Sequence, residues 1–177
     1  MLEWIGLLSG IAYLLLITFY RKEGWWFGIL SCACYAWLSF EGKIYLQAGL
    51  QLLYVILGFY ALYQWGKPEN KIQIKPIQYH LIIGGIGLIF WSILFYSFQS
   101  LKQENALLDA FICAFSLLAT YLSTKSIIQH WFYWIVLNLL TFWLFQLQDL
   151  EVGSYLYLFN TGMSIFAFYQ WKKQLNE

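Results

Sequence analysis

Charge is what this sequence has least of. Asp, Glu, Lys and Arg make up 11% of the 177 residues, where a soluble domain carries about 25%. With 61% hydrophobic residues, a soluble fold of this size would be left with large exposed apolar patches. The class that remains is a protein whose outer surface meets lipid. Nucleic acid is excluded as a partner, because the net charge is +1 and no basic face exists. Cysteine is also scarce. Cys32, Cys34 and Cys113 all lie within apolar runs, and Cys32-Ala33-Cys34 is too closely spaced for a zinc site, so neither a metal nor a disulfide is expected. Both prolines, Pro68 and Pro76, fall in one segment, so no other apolar run is interrupted. No paired carboxylates, Ser–His pair or phosphate-binding glycine loop appears. An enzyme, an ATP-driven pump and a bound cofactor are therefore not expected. The start, Met1-Leu2-Glu3, lacks the positive stretch of a secretory leader, so the first apolar run is expected to remain as a helix.

What is there is a series of apolar runs near the roughly 20 residues that cross a bilayer. They predict seven transmembrane helices: Leu2–Tyr20, Trp25–Phe40, Ile44–Trp65, Leu81–Phe98, Ala106–Leu122, Trp131–Leu147 and Tyr155–Trp171. Trp and Tyr at the ends of the short second and sixth runs read as interfacial anchors. The connections RKEG, EGK and QDLEVG are turns. The longest, residues 66–78, holds both prolines. Arg21, Lys22, Lys67, Lys71, Lys75, Lys125, Lys172 and Lys173 lie on one side and only Lys43 and Lys102 on the other. The positive-inside rule then puts the N-terminus outside and the C-terminus in the cytoplasm of an inner membrane.

An internal repeat divides the chain. Tyr63-Gln64-Trp65 recurs as Tyr169-Gln170-Trp171, an offset of 106, which also aligns Trp25 with Trp131, Trp37 with Trp143 and Ala61 with Ala167. With one residue of slippage in the first loop, Ser9 meets Ser116 and Leu15 meets Leu122. The expected organisation is a triplet at 1–65, a loop and linker helix at 66–105, and a second triplet at 106–177. An even number of spans between triplets gives them the same orientation. This is the parallel repeat of SWEET-type transporters, with the substrate near the midplane.

Polar groups at membrane depth are costly and should face the bundle interior. Trp131, Trp134 and Asn138 are spaced i, i+3, i+7, which places them on one helix face. Gln51, Tyr54 and Gly58 share that spacing, and the offset of 106 carries them onto Tyr157, Asn160 and Ser164. These residues are the candidate site. Aromatic faces and amides suit a flat, polar, cationic ring. Asp109 reads as an interfacial carboxylate, and His80 and His130 as solvated interfacial histidines.

The chain resembles the PnuC family of vitamin transporters along nearly its whole length. The resemblance rests on Trp131-x-x-Trp134-x-x-x-Asn138, on Gln51 in the middle of the third run, on the ending YALYQW and on the three-plus-one-plus-three layout. It implies facilitated diffusion of nicotinamide riboside, trapped afterwards by a separate kinase, with Gln51, Trp131, Trp134 and Asn138 contacting the substrate. Relatives of the same fold take thiamine, riboflavin or deoxynucleosides. Two positions depart from the family pattern: Gly58 stands where an asparagine is expected, and Ser31-Cys32 where the second helix often has one. A thiamine facilitator and, more distantly, a non-transporting membrane subunit are the alternatives. Lipid surrounds the chain in every reading, and a homo-oligomer stays open.

Overall fold

The computed structural model describes residues 1–101, 105–149 and 151–176, with the backbone alone for 151–153. Among these are seven helices: α1 Leu2–Thr18, α2 Gly24–Glu41, α3 Tyr45–Trp65, α4 Ile77–Ser100, α5 Ala106–Thr124, α6 His130–Leu147 and α7 Glu151–Leu175. Each predicted span has its helix. The fourth and seventh run beyond the apolar stretch at both ends, because helical hydrogen bonding continues past the last lipid-facing residue. Lys102 and Leu150 of the expected connections lie outside the described residues.

α3, α4 and α5 are each long and apolar enough to cross a membrane, and α1 is apolar but shorter, at 17 residues. The outer surface is apolar: Trp4, Trp26, Trp37, Ile56, Leu81, Ile89 and Trp143 are all more than half exposed. In water that surface would drive association; in lipid it needs no cover.

α2 packs on both α1 and α3, and α6 on both α5 and α7. Across the molecule α3 packs on α5 and α1 on α7, while α4 leans on α5. The turns α1–α2 and α5–α6 share one backbone pattern. Arg21 N donates to Leu16 O (2.9 Å) and Ile127 N to Leu122 O (3.1 Å); Gly24 N donates to Arg21 O and His130 N to Ile127 O, both at 3.0 Å. Tyr20 and Ser126 both take φ 55°, and Lys43 and Asp149 take φ 62° and 56°. These left-handed residues let each helix reverse within a few residues. The register corrects the sequence alignment. Leu122 corresponds to Leu16, not Leu15, and no slip occurs in the first loop. Leu15 is 47% exposed and Leu122 is fully buried, so the apolar match at Leu15 was one of composition.

Candidate functional site

The largest buried cluster sits at one end of the bundle, where α1, α3, α5 and α7 finish. Ile17, Trp25, Ala61, Trp65, Ile128, Trp131, Ala167 and Trp171 form one cluster. Trp25 and Trp65 meet edge to face at 5.7 Å, and Trp131 and Trp171 do the same at 5.7 Å. The Trp65 indole N–H donates to Ser123 O (3.2 Å), and the Trp171 indole N–H donates to Ile17 O (2.8 Å). Helix C-termini leave carbonyls without intrahelical partners. Here each indole adds a second donor to a carbonyl near the end of a distant helix: Ile17 O also accepts from Tyr20 N and Ser123 O from Ser126 N, both at 2.9 Å.

Tyr20, Asn70 and Ser126 close this end. The Tyr20 hydroxyl donates to Ser126 Oγ (3.1 Å), Ser126 Oγ donates to Asn70 Oδ1 (3.1 Å), and Asn70 Nδ2 donates to Tyr20 Oη (2.9 Å). Each hydroxyl therefore donates once and accepts once in a closed ring. The segment between α3 and α4 holds Asn70 there. It pairs as a single parallel bridge, Gln73 with Ile127. Gln73 N donates to Ser126 O (2.9 Å) and Ile128 N to Gln73 O (3.0 Å). Gln129 and Lys75 exchange two further bonds.

Above this floor are two adjoining cavities. One, of about 400 Å³, lies between α1, α6 and α7, with Trp131, Trp134, Asn138, Asn160 and Ser164 in its wall. The other, of about 450 Å³, lies between α2, α3, α5 and α6, with Gln51, Tyr54, Gly58, Trp134, Asn138 and Tyr157 in its wall. Both are of ligand size. All nine candidate residues therefore line this pair of cavities, and Trp134 and Asn138 line both. Asn138 Nδ2 donates to Ser164 Oγ at 3.3 Å, and Ser164 Oγ donates to Asn160 O at 2.8 Å.

Several expectations change. Gly58 is a close-packing position as well as a wall residue: a Cβ there would stand 2.5 Å from Ile29 Cγ1. An asparagine cannot fit at that position while Ile29 stays. Asp109 reaches further in than an interfacial carboxylate would. It lines the second cavity, and Cys113 Sγ donates to its Oδ1 at 3.8 Å. His130 is fully buried rather than solvated. Its Nδ1 lies 2.8 Å from Ile127 O and its ring packs on Trp131 and Trp171, because the tight α5–α6 turn carries it inward. His80 is half-buried, with Nδ1 3.1 Å from the Tyr133 hydroxyl. Tyr13, Ser31 and Tyr35, which line both cavities, were missed. Ser31 and Tyr35 share an i, i+4 face of α2 and Tyr13 lies on α1, but none carries the amide–aromatic pattern that marks the other candidates, and Ser31 stands out in the sequence only as a departure from the family pattern. Neither cavity has a lysine or arginine in its wall. Among the described residues no group of His, Cys, Asp or Glu could hold a metal.

Comparison with known proteins agrees with this architecture. The chain is 23% identical to the nicotinamide riboside transporter PnuC of Neisseria mucosa, over 97% of its own length and 73% of the relative's. It is 20% identical to the Escherichia coli protein of the same name, over 99% and 87%. Its fold matches a crystal structure of the vitamin B3 transporter PnuC with a TM-score of 0.79 at 22% identity, covering 99% of this chain and 82% of the other. A family model described as nicotinamide mononucleotide transporter matches residues 1–173. With nearly its whole length matched, the chain belongs to this transporter family.

Proposed function

We propose that this multi-pass membrane protein takes up nicotinamide riboside by facilitated diffusion through the paired cavities. The N-terminus lies outside and the C-terminus in the cytoplasm, and a separate cytoplasmic kinase traps the product. The observation that carries the choice of substrate is the charge of the walls. The family model is described by the mononucleotide and the relatives by the riboside, and the two differ by a phosphate. A buried phosphate needs cationic or dense N–H partners. These walls offer no Lys or Arg, and their one carboxylate, Asp109, favours the cationic ring of the riboside. Trp131, Trp134, Tyr54 and Tyr157 supply ring faces for that cation. Asn138, Asn160, Gln51 and Ser164 supply donors and acceptors for the amide and hydroxyls.

The recurrence at 106 of the turns, the Trp pairs and the crossed indole bonds supports a parallel three-plus-one-plus-three repeat of SWEET type, with α4 as linker. Alternating access then means rocking one triplet against the other. The crossed indole bonds and the Tyr20–Ser126–Asn70 ring would hold the cytoplasmic side shut, and they must break for release.

The test is uptake into liposomes. Labelled nicotinamide riboside should enter saturably and be recovered unchanged, and the mononucleotide should not compete. Competition by thiamine at lower concentration than the riboside would favour the thiamine reading, which the same aromatic box supports. Absence of any uptake would favour a non-transporting subunit.

A further inference from the structure

A further cleft opens between α3 and α4, beside the second transport cavity, with which it shares Gln47, Leu50, Asp109 and Cys113. Both helices pack on α5 but not on each other, which leaves a groove floored by α5. Its upper part is a cavity of about 430 Å³ between Leu46, Gly49, Leu50 and Leu53 of α3 and Phe90, Leu94 and Phe98 of α4. Leu46, Leu53 and Tyr60 are seven residues apart, two helical turns each, so they lie along one stripe of α3. Tyr79 lies eleven residues, about three turns, before Phe90 on the matching stripe of α4. The groove therefore runs from the apolar cavity to the basic end of the bundle. From Leu46 to Tyr60 it spans about 21 Å at 1.5 Å per residue, longer than the roughly 15 Å of one leaflet's hydrocarbon.

At its basic end the groove changes character. The Lys125 ammonium sits 4.9 Å from the Tyr60 ring centroid, and Tyr60 stacks on Tyr121 with planes 5° apart. The Lys75 ammonium sits 5.9 Å from the Tyr79 ring centroid. The Tyr60 hydroxyl holds the Lys125 ammonium above the ordinary lysine range, with Tyr121 and Tyr79 acting in the same direction. No acid accompanies these cations: Arg21 with Glu23 is the ion pair found among the described residues. Two cations and three hydroxyls stand at headgroup level, at the foot of an apolar trough.

We propose that this cleft binds one anionic glycerophospholipid of the cytoplasmic leaflet. An acyl chain lies between α3 and α4, and the phosphate rests on Lys75 and Lys125 with hydrogen bonds from the tyrosine hydroxyls. Charge complementarity selects this occupant over a helix of a second copy. A helix would bring apolar surface to the trough and leave the paired cations desolvated without a counter-charge. The lipid would bridge the gap between α3 and α4, so that α4, already packed on α5, also moves with α3.

Native mass spectrometry of protein extracted from phosphatidylglycerol–phosphatidylcholine nanodiscs tests this. Wild-type protein should retain one phosphatidylglycerol, and its thermal midpoint should rise with the phosphatidylglycerol fraction. Lys75→Gln with Lys125→Gln should cut retention about tenfold or more, in line with two surface cations. Lys172→Gln with Lys173→Gln, on the same face but outside the groove, should retain the lipid. Tyr60→Phe, which keeps the fold and both charges, should weaken retention in part. Equal loss in the Lys172/Lys173 pair would reduce the effect to general surface potential and overturn the site. Retention by the Lys75/Lys125 variant would overturn it too, as would a protein dimer in place of the lipid adduct.

Discussion

Gly58→Ala separates packing from ligand contact in the candidate site. The new Cβ would stand 2.5 Å from Ile29 Cγ1, against 3.4 Å for ordinary contact. The helices or the side chain must therefore give way by about 0.9 Å (3.4 minus 2.5). Overpacking of that kind costs about 1–3 kcal/mol. Alanine also improves helix propensity over glycine by about 1 kcal/mol, so the single variant should lose about 0–2 kcal/mol. Removing the obstacle isolates the clash. In an Ile29→Ala background the same substitution should be neutral, or stabilising by up to about 1 kcal/mol. The coupling between the two sites is then about 1–3 kcal/mol in favour of the double variant. Ile29→Val retains Cγ1 and should give no relief. Denaturation in detergent measures the four members of the cycle, and riboside titration follows each. A coupling near zero refutes the steric account of Gly58.

Trp65→Phe and Trp171→Phe each remove one indole N–H from a helix-terminal carbonyl, so each should cost about 1 kcal/mol. Calorimetry should give equal effects, and a loss confined to one of them would contradict their equivalent roles. Asn70→Ala opens the hydrogen-bonded ring at the closed end while leaving Tyr20 and Ser126 in place. With Cys34 and Cys113 replaced by alanine, Cys32 in the cavity wall should then react several-fold faster with a maleimide applied from the side of the membrane where Asn70 lies. An unchanged rate would mean that the ring does not hold that end shut.

Much of the fold was legible because lipid imposes a simple rule: runs of apolar residues long enough to span must be helices. Trp65 and Trp171 were legible as a pair because their neighbours repeat with them. Their purpose was not, since a hydrogen bond from Trp171 to Ile17 joins residues 154 apart. Spacing of i, i+3, i+7 brought Trp131, Trp134 and Asn138 to one wall. The same rule missed Tyr13, Ser31 and Tyr35, because none of them belongs to an i, i+3, i+7 set of aromatic and amide residues. Gly58 shows the limit of reading a position by motif. Its place on the inward face was right, but its close approach to Ile29 depends on the separation of α2 and α3, which no pattern encodes. The strap at Gln73 was hidden for a similar reason. Its backbone pairing with Ile127 follows from where two loops meet, not from their side chains.

Asn138 offers the most direct test of the whole account, because it lines both cavities and is bonded to Ser164. Its amide is worth about 1.5 kcal/mol to a bound ligand, close to tenfold in affinity. Purified wild-type protein titrated with nicotinamide riboside should bind saturably, and Asn138→Ala should weaken binding about tenfold with the fold intact. Saturable binding untouched by Asn138→Ala, or no binding by the wild type, would contradict the account.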